Sequence, residues 1–204
     1  MARPKSLHNR AELIVDAADE LFARYGYERT SIDDIAKHLR IGKGSIYLEF
    51  RTKEDILALI IKRHADQIQT LIHDKVENSG DAPLVAIKDI LIESSIRVFD
   101  MVTRDIHTPG ALLHTSIHMK NRFSGYFTNK RAHLLMLLEK AAALGQITPE
   151  KATDETAMAL MVATSGLFPP YLDNYSASET RIDRQTLINR ATCIVDLIVD
   201  GLKK

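Results

Sequence analysis

Apolar positions recur with a helical period along nearly the whole chain, divided into segments by short breaks rich in glycine, proline or polar residues. Ile14, Ala17, Ala18, Leu21, Phe22 and Tyr25 share one helical face, and Gly26 supplies the left-handed stop expected just after such a helix. A short second helix follows, with Ile32, Ile35, Ala36 and Leu39 as its buried stripe. Thr30 or Ser31 can cap it, and Asp33 and Asp34 sit at the positive end of its dipole. A third element lies between Ile41 and Phe50, with Ile46 and Phe50 on one side and Gly42 as an acceptable N-cap. Thr52-Lys53-Glu54-Asp55 has the form of a capping box and opens a long helix that reaches about Val76. Asn78 to Pro83 combines a helix stop, a polar turn and a proline start, and is the clearest linker. Further helices are expected at roughly 84–104, 108–119, 121–144, 149–172 and 180–202. No segment alternates as a strand would, so the fold class is all-α.

Two short helices joined by a tight turn, the second carrying exposed polar side chains, have the form of a helix-turn-helix between about Thr30 and Lys53. Its second helix would lie in the major groove of DNA. Lys43 and Lys53 can neutralise phosphates there, and Lys43 can also reach guanine edges. Ser45 and Tyr47 can donate to phosphate or base, Leu48 can meet a thymine methyl, and backbone N–H groups at Thr30 can face a phosphate. Charge supports this only locally. The 204 residues carry 27 basic and 27 acidic groups, yet residues 37–53 hold five basic groups against Glu49 alone. Gly42-Lys43-Gly44-Ser45 lacks the spacing of a phosphate-binding P-loop and follows no strand.

The N-terminal quarter is where a family can be identified. Ala17-Ala18-x-x-Leu21-Phe22-x-x-x-Gly26-Tyr27-x-x-Thr30-Ser31-Ile32-x-x-Ile35-Ala36, then Lys43-Gly44-Ser45-Ile46-Tyr47-x-x-Phe50-x-x-Lys53-Glu54, resembles the signature of the tetracycline-repressor (TetR) family. The resemblance implies a three-helix DNA-binding domain over residues 1–53. Residues 54–204 would then form a connecting helix and a helical domain that binds a ligand and dimerises. It also implies a repressor released from double-stranded operator DNA by a small-molecule inducer. The DNA-binding residues would be Thr30, Arg40, Lys43, Gly44, Ser45, Tyr47, Leu48 and Lys53. Two positions depart from the family pattern. Arg40 stands where the family usually has glycine, so the turn must take a conformation that a side chain tolerates, and Gly42 replaces the usual serine.

The remainder carries less specific signals. His114 and His118 lie one helical turn apart, with His107 upstream. A metal-responsive regulator of the same fold is therefore an alternative, if Asp105, His107 or His133 completes the ligand set. The pocket candidates for an inducer are His114, His118, Phe123 and Phe127. Met119, Phe123, Phe127 and Met136 read first as core. Leu187, Ile188, Ala191, Ile194, Val195, Ile198 and Leu202 form one apolar band, and Ala157, Leu160, Met161, Thr164 and Phe168 another. Together they predict a homodimer through the last two helices. No catalytic motif stands out, which leaves a helical enzyme as a remote third reading. No cofactor and no metal is assigned. Cys193, the single cysteine, excludes an internal disulfide and reads as a small apolar group. With no apolar leader and no run long enough to span a bilayer, a cytoplasmic protein without membrane contact is expected.

Overall fold

In the computed structural model, which describes residues 5–101, 103, 124–168 and 183–204, Gly26 ends helix α1 (Lys5–Tyr25) at φ +86°. Ser31 then starts α2 (Ile32–Leu39) through a reciprocal capping box. Its Oγ accepts the Asp34 N–H at 3.2 Å, and Asp34 Oδ2 accepts the Ser31 N–H at 2.9 Å. Thr30, the other candidate cap, turns inward instead. It is 3% exposed, and its hydroxyl donates to Gly26 O at 2.9 Å. Helix α2 ends on Arg40 at φ +54°, ψ +40°, the one non-glycine with positive φ among the described residues. The turn into α3 (Lys43–Tyr47) is thus left-handed, and an arginine occupies it at a cost of about 1–2 kcal/mol. The Thr52–Asp55 box opens α4 (Lys53–Glu77), with Asp55 N–H donating to Thr52 Oγ1 at 3.1 Å and Thr52 N–H to Asp55 Oδ2 at 3.2 Å.

These four helices share one core. Ile14, Ala18, Phe22, Ile35, Ile46 and Ile56 are each fully buried in it, and the Tyr27 ring meets Phe22 edge to face at 5.1 Å. Lys53 fastens the start of α4 to the end of α1. Its ammonium donates to Tyr27 O at 2.8 Å and Thr30 O at 3.0 Å, and lies 4.1 Å from the centre of the Tyr27 ring. The Tyr27 hydroxyl donates in turn to Glu54 at 3.0 Å. Burial first, then the Glu54 carboxylate, pushes the Tyr27 hydroxyl far above its ordinary value. The Glu54 carboxyl is held below its ordinary value, chiefly by its own backbone N–H and also by Tyr27.

Residues 5–64 form one compact unit, and residues 65–100, 124–168 and 183–204 form a second. The division falls within α4. The second unit contains the end of α4, α5 (Pro83–Met101), α6 (Ser124–Ala143), α7 (Asp154–Ala163) and α8 (Arg184–Asp200). Ile72, Ile87, Ile90, Leu91, Leu134, Leu138, Val195 and Val199 form its main core. Lys75 pairs with Asp89 and Glu93, both at 2.7 Å, and Lys88 pairs with Asp196 at 2.7 Å and Asp200 at 2.9 Å, tying α5 to α4 and to α8. The described residues contain no β-strand, only an isolated bridge between Ile147 and Lys203. None of their helices is long and apolar enough to cross a membrane.

Three expectations change. The helix expected over 149–172 is broken into a 3₁₀ turn at Pro149–Lys151, α7, and another 3₁₀ turn at Ser165–Leu167. Thr153 restarts it by capping the Thr156 N–H, and Phe168 is extended before Pro169, as a residue preceding proline prefers. Phe127 and Met136 are 51% and 53% exposed rather than core, because Leu134, Leu137, Leu138 and Ala141 take the buried face of α6. Cys193 is exposed on α8. The helix expected at 108–119 lies outside the described residues, as do Met119 and Phe123.

Replacing Arg40 by glycine removes left-handed strain and adds unfolded-chain freedom, so Arg40→Gly should keep or raise stability, by no more than about 1 kcal/mol in urea denaturation. A loss instead would mean that the arginine side chain holds the turn. Lys53→Met should lower stability by about 2 kcal/mol, since bonds from a charged donor carry about 1.5–3 kcal/mol. For Glu54 the stabilising contribution is present above its ordinary value of 4.5 and is lost as pH falls through its lower folded value. Acid titration of Glu54→Gln should therefore show a shallower decline than the wild type below that pH.

Candidate DNA-binding surface

Helix α3 spans only five residues, too few to hold its own shape in water. Two side chains anchor it: Ile46 is fully buried and Phe50, just beyond its end, is 6% exposed. Burying this side fixes what the other side shows. Lys43, Gly44, Tyr47 and Leu48 face solvent, with Tyr47 48% and Leu48 77% exposed, and Ser45 is half-buried between them. Leu48 contributes almost no burial to the free protein, and an apolar side chain this exposed beside an aromatic one points to an external contact.

The chemistry of this face is polar, cationic and shallow. Lys43 and Tyr47 are one helical turn apart, and the Lys43 ammonium rests 5.9 Å from the centre of the Tyr47 ring. An exposed cation–π contact of this kind is worth about 0.5–1 kcal/mol, so the lysine can leave the ring for a phosphate or a guanine edge. A Cβ built on Gly44 would meet nothing within 4 Å. Packing within the protein therefore does not require glycine there, and the missing side chain keeps the helix surface low where another backbone could approach. Arg40 and Arg51 are exposed on either side of the helix. Lys37 is exposed too, but is paired with Asp33 at 2.7 Å.

The residues expected to bind DNA thus separate into two groups. Arg40, Lys43, Gly44, Ser45, Tyr47 and Leu48 are gathered on and beside α3. Thr30 and Lys53 are instead turned into the protein: the Thr30 N–H donates to Tyr27 O at 3.3 Å, and Lys53 is held on two carbonyl oxygens. The clasp formed by Tyr27, Lys53 and Glu54 went unread in the sequence, because its partners are more than twenty positions apart. The Lys43–Tyr47 contact was not read either, although its i, i+4 spacing is a local signal that could have found it. Of the ligand candidates, His114, His118 and Phe123 lie outside the described residues, and Phe127 is exposed on α6. Among the described residues no three His, Cys, Asp or Glu side chains cluster as metal ligands. His133, a suggested ligand, has its ring 6.4 Å from that of His73, and its Nδ1 is 2.8 Å from Asn129 O.

Residues 14–60 match the family model described as bacterial regulatory proteins, tetR family. Over 130 residues the chain is 31% identical to the negative transcriptional regulator IcaR of the biofilm operon icaADBC in Staphylococcus aureus, covering 64% of this chain and 66% of that protein. Other curated relatives are matched over shorter stretches, and the chain spans only 35–41% of the length of the first of them. A TetR/AcrR-family transcriptional regulator from Thermobifida fusca has the same fold, with a TM-score of 0.71 at 22% identity over 96% of this chain and all of that one. So has SmeT, the repressor of the Stenotrophomonas maltophilia efflux pump SmeDEF, at a TM-score of 0.66 and 18% identity over 95% of this chain and 90% of that one. SmeT is also known as a complex with triclosan. At such identities the two structures attest the fold alone; with the family model and the IcaR match beside them, the chain belongs to the tetR family of bacterial regulatory proteins.

Proposed function

We propose that this protein is a transcription repressor of the bacterial cytoplasm that binds double-stranded operator DNA as a homodimer and is released by a small organic ligand. The observation that carries the reading is the solvent-facing side of α3, where Lys43, Gly44, Tyr47 and Leu48 are held outward by the buried Ile46. In a major groove Lys43 and Tyr47 reach phosphates or base edges, Leu48 meets a thymine methyl, and the bare Gly44 lets the helix approach closely. Arg40 and Ser45 add contacts to the backbone of the DNA. Residues 1–53 form the DNA-binding domain on this reading, with Thr30 and Lys53 supporting it from beneath, and residues 54–204 form the ligand-binding and dimerising part.

The dimer is proposed on apolar surface left over after folding. Leu187, Ala191 and Val195 of α8 and Ala157 and Leu160 of α7 are buried within the chain. Leu197 remains 72% exposed on α8 and Val162 62% exposed on α7, with Cys193 one turn before Leu197. Pairing these faces about a two-fold axis gives a four-helix interface and two recognition helices, suited to half-sites one DNA turn, about 34 Å, apart. IcaR is a negative regulator and SmeT a repressor with a known small-molecule complex, which supports the same direction of control here.

Capture of genomic fragments by the purified protein, followed by titration of the recovered operator, tests the reading. Leu48→Ala and Lys43→Ala should each weaken operator binding by about tenfold without loss of stability, since one good base contact carries about 1–3 kcal/mol. Gly44→Ala should move the two properties in opposite directions: helix stability rises by about 0.5–1 kcal/mol while operator affinity falls. Wild-type affinity in all three variants across a salt titration would overturn the assignment of α3. Sedimentation should give a dimer at micromolar concentration, and Leu197→Glu should shift it towards monomer.

A further inference from the structure

Within the second unit, α4 and α6 lie side by side, and residue numbers rise together along their shared seam. Near one end the Tyr126 hydroxyl donates to Asp66, and the Tyr126 carbonyl accepts from Gln69 Nε2 at 3.3 Å. Near the other, Lys140 Nζ donates at 2.8 Å to Ser79 Oγ, just beyond the end of α4. His133 falls midway between Tyr126 and Lys140, at the same heptad spacing and so on the same face of α6. There its ring meets that of His73 on α4, with the ring centres 6.4 Å apart and the planes at 75°.

Both rings have a nitrogen to offer. His133 Nδ1 lies 2.8 Å from Asn129 O, and because a carbonyl oxygen can only accept, Nδ1 carries the proton. The neutral His133 ring therefore has its lone pair on Nε2. A backbone carbonyl on the opposite ring nitrogen is the support that metal-bound histidines usually have, since it fixes both tautomer and ring orientation. His73 is exposed and makes no hydrogen bond or ion pair among the described residues, so its ring is free to turn towards its neighbour. Two imidazoles sharing one ion at the usual metal–nitrogen distance, about 2.0–2.1 Å, have ring centres about 5 Å apart at a tetrahedral angle. The observed separation exceeds that by little more than about 1 Å, which a side-chain rotation at His73 can close without moving either helix.

We propose that His73 and His133 form a binding site for a divalent transition-metal ion of the class that imidazole prefers, namely copper, nickel or zinc, which clips α6 to α4. Neutral ring nitrogens select such ions over magnesium or calcium, whose preferred ligands are oxygens. Among the described residues no third His, Cys, Asp or Glu side chain stands with the pair, so water completes the coordination shell. The result is an exchangeable site with open positions rather than a closed structural centre. Contacts on both sides of the pair already hold the two helices together, so binding has to order two side chains and no backbone. The site is distinct from His114 and His118, and it does not depend on the organic ligand of the proposed function.

The test uses the full-length protein with no added histidines and without DNA, and titrates Cu²⁺, Ni²⁺, Zn²⁺ and Mg²⁺ by calorimetry near neutral pH. Cu²⁺ should bind most tightly and Mg²⁺ not at all, and electron paramagnetic resonance of the Cu²⁺ complex should show coupling to two imidazole nitrogens. His73→Ala and His133→Ala should each weaken Cu²⁺ binding by at least about tenfold, since loss of a mere outer-shell partner typically costs about 10–100-fold. Because both rings serve one ion, the double variant should bind little worse than either single one. His114→Ala should bind as the wild type does. Without metal, His73→Ala should melt as the wild type does, whereas added Zn²⁺ should raise the melting temperature of the wild type alone. The proposal is overturned if none of the transition ions binds, if either single variant keeps wild-type affinity, if the two losses add in the double variant, or if His114→Ala removes binding. Operator titration of the metal-free protein reads the repressor assignment independently of all these outcomes.

Discussion

The exposed face of α3, the candidate DNA-binding surface, depends on the burial of the other side of a helix too short to exist alone. Five residues form barely more than one helical turn, and the entropy of ordering them exceeds what their own hydrogen bonds return. Ile46 and Phe50 provide the difference by entering the core of the N-terminal unit beside Phe22, Ile35 and Ile56. Everything that α3 presents follows from that anchorage. With Ile46 inward, a period of 3.6 residues turns Gly44 and Leu48 outward and Tyr47 to the flank, and Lys43, one turn before Ile46, is exposed as the first residue of the helix. The Lys53 clasp acts on the same geometry from the other side, since it ties the first residue of α4 to the carbonyls that follow α1 and so fixes where α3 must end.

Within this unit, cations serve two opposed purposes, and burial separates them. Lys53 is held on carbonyl oxygens and over an aromatic face, where each donor is satisfied inside the protein and the charge is spent on structure. Lys43, Arg40 and Arg51 keep their charge at the surface, where an approaching phosphate can take it from water with little rearrangement. Arg40 combines both conditions. Its backbone carries a left-handed strain that glycine would avoid, and its side chain is nevertheless exposed beside α3. Strain of this kind persists where the surrounding structure imposes it, and here the Arg40 N–H donates to the carbonyls of Ala36 and Lys37 and so closes the end of α2.

What was legible in the sequence follows the range of the interactions. The all-α class, the stop at Gly26, the box at Thr52 and the inward Ile46 and Phe50 are set by residues within a turn or two of one another, and periodicity exposes them directly. Ser31 and Thr30 could not be separated by sequence because both carry a hydroxyl at the right place. The separation came from Thr30 finding Gly26 O and Leu21 O in the interior. The inward turn of Lys53 depends on carbonyls more than twenty residues away, which no local pattern reports. In the second unit the apolar bands of the last two helices looked like surplus because the sequence shows how much apolar surface exists but not how much other helices cover. Leu187, Ala191 and Val195 are consumed by the chain itself, and Leu197 and Val162 are what remains.

Helix α4 makes the two halves of the functional reading interdependent. It is one uninterrupted element of 25 residues, begun by the Thr52 cap and the Lys53 clasp in one unit and continued by Ile72 and Val76 into the core of the other. On the proposed reading, a ligand held in the second unit influences DNA binding only by preferring one arrangement of this helix over another, and its leverage is limited to that difference in affinity. A tightly bound molecule with equal affinity for both arrangements changes nothing. Within the second unit, the hydrogen bonds that the Tyr126 hydroxyl donates to Asp66 and the Tyr126 carbonyl accepts from Gln69 join α6 to the later turns of α4, so a ligand that moved α6 would act on α4 through them.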